Sequence, residues 1–217
     1  MCHRLSFVTS SEKVRQDLGV TPDGTLRTSY NIGPTQHAYI VTNNNTRQLD
    51  YVTWGLIPYW SNTGTNEGKL IHARAEGIET SSSFRIPIRS RRCLVVIDSF
   101  YSLLPGKTNI EKEAYRFYMN DGSLMVLAGL WDSWYKDEYE VKSFAIIMIP
   151  ETDVWPWRMP VILDTQEKRN NWLADESLDL ILDQLAPPKK EKLIYYKVSE
   201  QLLQSQEDNF ELHVKID

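Results

Sequence analysis

Cys2 is the residue with the most chemistry open to it. A methionine ahead of a small residue is often trimmed, and the new first residue would carry an amine and a thiol on adjacent carbons. An α-amine titrates near about 7.7–8.0, so much of it is neutral at pH 7 and ready to attack an aldehyde as a Schiff-base nucleophile. The neighbouring thiol then closes on the same carbon as a thiazolidine, which outlasts a bare imine. A retained Met1 would acylate that nitrogen and forbid the reaction. A plainer reading of Cys2 stays open beside this one: a small buried residue that begins a strand.

Arg85, Arg89, Arg91 and Arg92 fall close together in an otherwise acidic chain, with His72 and Arg74 just upstream. Planar guanidinium forks donate paired hydrogen bonds to phosphate. The alternative is a solvated helix face whose arginines pair with surplus carboxylates. Trp54, Tyr59 and Trp60 lie in WGLIPYW, and Trp155 and Trp157 in VWPWRMP. Exposed, such rings stack on unpaired bases; buried, they are core. The two cysteines, Cys2 and Cys93, are too few for a disulfide framework and lack metal-binding spacing, so no metal or cofactor is expected.

The elements that must position these residues are mostly strands. Short runs rich in β-branched and aromatic residues predict strands at 5–8, 38–42, 49–54, 93–97, 115–119, 124–130, 143–149 and 160–163. Asn120-Asp121-Gly122 predicts a hairpin turn. Helices are predicted at 11–18, 82–92, 165–173 and 177–185, the first between Ser10 and Gly19 as caps. The expected fold class is α+β: a mainly antiparallel, barrel-like β core with flanking helices, in a single domain over residues 1–217. Residues 165–217 read as a helical and strand extension of it. If residues 2–8 form a regular strand, Cys2 and Arg4 share a face and His3 points away.

With 24 basic and 29 acidic residues, the net charge of −5 argues against a general nucleic-acid coat but not against a local basic groove. The first residues lack an apolar signal core, and no apolar run approaches the ~20 residues that span a bilayer. A cytoplasmic, nucleoid-associated monomer without membrane contact is expected.

Ordered along the chain are Met1-Cys2-x-Arg4, Asn31-Ile32-Gly33-Pro34-Thr35-Gln36, Trp54-Gly55-Leu56-Ile57-Pro58-x-Trp60, Ala73-Arg74-Ala75-Glu76 and Phe84-Arg85. Arg91-Arg92-Cys93-Leu94, Asp98-x-Phe100-Tyr101 and Arg158-Met159-Pro160-Val161-Ile162-Leu163 follow. Together they resemble the SOS-response-associated peptidase (SRAP) family, proteins that shield abasic sites in single-stranded DNA. The resemblance covers roughly residues 1–165. It implies that Cys2, freed of methionine, forms a thiazolidine with the ring-opened sugar of an abasic site, and that the protein removes its own leading segment. It further implies Arg4, Pro34, Trp60, Arg74, Arg85 and Arg158 along the DNA path.

Four positions depart from the family's pattern. Ser102 stands where a glutamate is usual, Pro156 where a histidine is usual, His72 replaces an asparagine and His3 a glycine. Serine and proline cannot shuttle protons near neutral pH, a role typically worth about 10²–10⁴-fold. His72 is therefore the candidate second catalytic residue. Three functions are expected in competition: an abasic-site crosslinker, a catalytically silent single-stranded DNA-binding paralogue, and a Cys2–His72 thiol peptidase.

Overall fold

The computed structural model describes residues 2–65, 69–106, 111–204 and 207–216. Met1, whose removal decides the state of the Cys2 nitrogen, lies outside them. The strands in chain order are β1 (Cys2–Phe7), β2 (Ser29–Ile32), β3 (His37–Thr42), β4 (Asn45–Trp54), β5 (His72–Arg74) and β6 (Arg92–Ile97). They continue with β7 (Ser99–Pro105), β8 (Lys112–Met119), β9 (Met125–Lys136), β10 (Tyr139–Ile149), β11 (Met159–Pro160) and β12 (Leu193–Lys197). The helices are α1 (Ser11–Leu18), α2 (Pro87–Ser90), α3 (Gln166–Leu173), α4 (Leu178–Leu182) and α5 (Gln201–Gln204).

β4, β3, β6, β9 and β10 pair in turn, and β10 pairs back to β4, which closes a five-stranded barrel. Closure removes the free edges that an open sheet would expose. Of the five pairings that close the barrel only the β10–β4 seam is parallel, and it is short: Ser143 and Phe144 against Thr53 and Trp54. Beyond it the same edge of β10 takes β5, so that Ile146, Ile147 and Met148 face His72, Ala73 and Arg74. β4 and β5 thus follow one another along β10, and His72 is the first residue of β5.

An antiparallel sheet in the order β12-β8-β7-β1-β2 packs against the barrel. One apolar cluster joins the two, with Leu5, Phe7, Phe100 and Phe117 from the open sheet and Ile40, Val95, Leu127 and Ile146 from the barrel. Phe100 and Phe117 stack with centroids 4.8 Å apart. Burial on this scale, at roughly 1.5–3 kcal/mol for each large apolar side chain, fixes β1 and its first residues against β7. The α+β class with a barrel-like core agrees with the sequence.

α1 begins and ends as its caps predict. Ser10 Oγ accepts from the Lys13 amide at 3.2 Å, and Gly19 closes the helix at φ 69°, a left-handed conformation that favours glycine. The predicted helix 82–92 shrinks to the single turn α2, with Pro87 in its first position, where a missing N–H costs nothing. The 160–163 strand reduces to β11 and an isolated bridge from Ile162 to Leu127. Asn120-Asp121-Gly122 does turn, with Gly122 at φ 70°, but it makes no hairpin. β8 pairs with β7 and β12, β9 with β6 and β10, so the turn carries the chain from one sheet to the other.

Candidate functional site

β1 does not alternate regularly. Cys2 faces Ser102 across the ladder and Arg4 faces Tyr101, so one extra residue, His3, is accommodated by a bulge. Ser102 and Tyr101 are adjacent and point to opposite faces, so Cys2 and Arg4 do as well. The expectation that they share a face is corrected by this bulge. His3 lies near enough to His72 that its charge depresses the His72 pKa.

Cys2 lies at the buried end of that alternation. Its side chain is 0% exposed and joins the apolar cluster. The thiol's hydrogen bond goes to the Arg4 carbonyl at 3.9 Å, and burial pushes its pKa up to about 12. In the intact chain the sulfur is a protonated, enclosed thiol rather than the floor of a cleft. Ser102, also buried, occupies the position directly opposite.

The group that does face an opening is His72. Its ring lies against the Cys2 backbone, and its Nε2 is buried with no partner. Desolvation, reinforced by His3, drives its pKa down to about 4, against the opposing pull of that backbone contact. The imidazole is therefore neutral at pH 7 and holds a free nitrogen lone pair or N–H next to the head of the chain. Arg74, two residues along β5, shares its face and is exposed. A cavity of about 290 Å³ is lined by His72, Arg74, Glu76, Gly77, Ser81 and Phe84.

Arg158 reaches the same cavity wall but is engaged. It makes a bidentate pair with Glu76 at 3.0 and 2.5 Å, which holds the Glu76 carboxyl below its ordinary range and raises the guanidinium. The basic stretch divides rather than acting as a unit. Arg92 is 1% exposed and donates to the carbonyls of Trp172, Ile88, Arg89 and Ala174 at 2.8, 3.0, 2.6 and 2.5 Å. It is a clamp between the ends of α2 and α3. Arg91 pairs with buried Asp132 and lies over the Tyr59 ring at 5.5 Å. Arg89 bonds the carbonyls of Arg85 and Glu79, and Arg85 is exposed.

Trp60 and Tyr59 stand out on the surface, 51% and 49% exposed. Their loop is rigidly anchored, a feature with no local sequence signal. The Tyr59 amide donates to Asp132 at 3.0 Å, and Trp134 Nε1 donates to the Ser61 carbonyl at 2.7 Å. Gly64 at φ 65° lies under the Trp134 ring, where a Cβ has no room. Trp54 and Trp155, by contrast, are core.

A second cavity, of about 370 Å³, is lined by Arg4 and Pro34 among others. The Arg4 guanidinium sits on the Gly33 backbone, where a Cβ would come within 3.0 Å of its Cζ. Its Nε is buried and unpartnered, and desolvation lowers its pKa. The structure thus gathers His72 and Arg74 at one opening and Arg4 and Pro34 at another. Trp60 is exposed on its own anchored loop, and Pro156 is exposed between Trp155 and Trp157. Among the described residues, no group of three or more His, Cys, Asp or Glu side chains is arranged to hold a metal, and no helix is long and apolar enough to cross a membrane.

The profile of the SOS response associated peptidase (SRAP) family matches residues 1–205. Abasic site processing protein YoqW of Bacillus subtilis (strain 168) is 30% identical over 211 residues, covering 92% of each chain. Abasic site processing protein YMR114C of Saccharomyces cerevisiae is 27% identical over 187 residues, 81% of this chain and 49% of its own. A crystal structure of a protein from Bacteroides thetaiotaomicron superimposes with a TM-score of 0.87 at 25% identity, covering 99% of this chain and 100% of that one.

Proposed function

The chain belongs to the SRAP family, and we propose that it binds single-stranded DNA at abasic sites and crosslinks to them through Cys2 once Met1 is removed. The observation that carries this reading is the cavity that presents His72 and Arg74 together, with the His72 ring against the Cys2 backbone. It puts a neutral proton-transfer group close to the head of the chain, where the freed amine has to react.

The chemistry loses one water. The freed amine of Cys2 attacks the aldehyde carbon of the opened sugar to give a carbinolamine. Proton transfer to the carbinolamine hydroxyl releases water and leaves the imine. The Cys2 S–H then adds across C=N: sulfur bonds to carbon and the proton goes to nitrogen. A neutral His72 with an unpartnered Nε2 is suited to both proton movements, in a site where Ser102 cannot serve. Arg74 and Arg85, both exposed, suit phosphate, and Trp60 an unpaired base. Arg158 takes part only by exchanging Glu76 for phosphate.

A second reading, a silent DNA-binding paralogue, is favoured by the full burial of Cys2 and by Ser102 opposite it. The thiol-peptidase reading has no support in the geometry, because the thiol bonds the Arg4 carbonyl rather than an imidazole. Methionine-free protein incubated with abasic-site single-stranded DNA is expected to give an adduct that survives denaturation. Cys2→Ala, which retains the amine, is expected to lose that adduct and to give only an imine that borohydride traps. Salt-sensitive binding without any adduct establishes the silent reading instead.

A further inference from the structure

The cavity at Arg4 does not end at Pro34. A neighbouring cavity shares Ser29, Thr35, Gln36 and Asp208 with it, and the two form one trough along β2. Arg4 stands at one end and Arg27 at the other. From Gly33, beneath Arg4, to Ser29 the strand runs roughly 13 Å, and Arg27 lies beyond, so the trough has room for about four nucleotides at stacked spacing. Its far end has an aromatic surface. His37 and Tyr51 pack at 5.3 Å, and the Arg27 guanidinium lies 5.3 Å above the Tyr51 ring. Hydroxyl and amide groups line the middle. Arginines at both ends, polar walls and half-open rings are the chemistry of a single-stranded backbone with its bases stacked on protein.

One carboxylate interrupts the lining. Asp208 belongs to the C-terminal segment that crosses the edge strand β2, where its side chain accepts from the Tyr30 amide. Asn31 Nδ2 ties the same region down through the carbonyls of Leu202 and Glu207, at 3.2 and 3.0 Å. A fixed negative charge in the middle of a phosphate path opposes the ligand and weakens with salt.

Resting on the DNA-binding reading above, we propose that this trough is a second subsite for the DNA strand flanking the lesion, with Arg27 as its distal phosphate contact and Asp208 as a built-in brake on affinity. The test is anisotropy with labelled oligothymidylates of about 4 and about 16 nucleotides, titrated against the full chain over a salt series. Arg27→Gln, which removes the charge and keeps a polar side chain, is expected to weaken the long ligand about fivefold, the size of one exposed charge contact. It should lower the salt slope of the long ligand by about 0.7 and weaken the short ligand less, because the short ligand need not reach Arg27. Asp208→Asn retains the acceptor for Tyr30 and is expected to tighten the long ligand about threefold. Thermal melts confirm that both variants fold. If wild type binds both ligands, Arg74→Glu weakens that binding, and Arg27→Gln and Asp208→Asn change nothing, the trough proposal is overturned and the main site stands. If wild type binds no single strand, both fall.

Discussion

The two buried histidines predict a specific acid lability. In an unfolded chain His72 takes a proton below about pH 6.5; in the fold it does so only below about 4. Between those values the unfolded state holds more protons, so stability rises with pH and is lost as pH falls. At about 1.36 kcal/mol per pH unit, holding His72 neutral costs roughly 2 kcal/mol at pH 5 and nothing at pH 7.5. His213 adds a similar amount. It is 7% exposed, has an unpartnered Nε2, packs 4.8 Å from the Tyr30 ring, and has its pKa pushed down to about 3. Asp132 works in the opposite sense, because burial raises its carboxyl, but variant comparisons cancel its contribution. The assay is urea unfolding of wild type, His72→Asn and His213→Asn at about pH 7.5 and about pH 5. Each variant is expected to remove about 2 kcal/mol of the difference between the two pH values. A His72 ring that titrates near its ordinary value by NMR, or variants that leave the acid loss intact, refute the assignment and with it the neutral imidazole beside Cys2.

Other outcomes follow from the same contacts. Arg92→Met leaves the carbonyls of Trp172, Ile88, Arg89 and Ala174 without a donor and is expected to destabilise the fold by about 3–5 kcal/mol in urea unfolding. Gly33→Ala displaces the Arg4 guanidinium and is expected to weaken DNA binding about fivefold in anisotropy while barely moving the melting temperature. His72→Ala in methionine-free protein is expected to slow adduct formation about 10²-fold or more at pH 7, read from denaturing gels over time. Both cysteines, 0% exposed with raised pKa values, should resist maleimide in the native intact chain and react on unfolding, followed by mass.

Elements marked by local chemistry were legible in the sequence. Ser10 and Gly19 frame α1, and the β-branched and aromatic runs of β3, β4, β6, β9 and β10 marked the strands of the barrel. β2 and β7 were not legible: SYNI is short, and SFYSLLP mixes serines with a terminal proline. Both take their order from pairing with β1, a partner distant in sequence. The bulge at His3 has the same origin, since only the register against Ser102 and Tyr101 reveals it, and it is what turns Cys2 away from Arg4. The arginine stretch misled because proximity in sequence is not a shared face. Arg92 is spent on carbonyls of α2 and of the distant end of α3, and Arg91 on the distant Asp132. His72 stood out in the sequence from its position beside Ala73-Arg74. Its place against the Cys2 backbone required the switch of partners along β10.

Everything functional here turns on whether position two can join to an aldehyde. The decisive measurement is the intact mass of protein purified from cells without tags, before and after incubation with an abasic-site single strand. The account predicts a chain lacking Met1 that then gains the mass of the oligonucleotide less one water. A chain that lacks Met1 and gains nothing contradicts it.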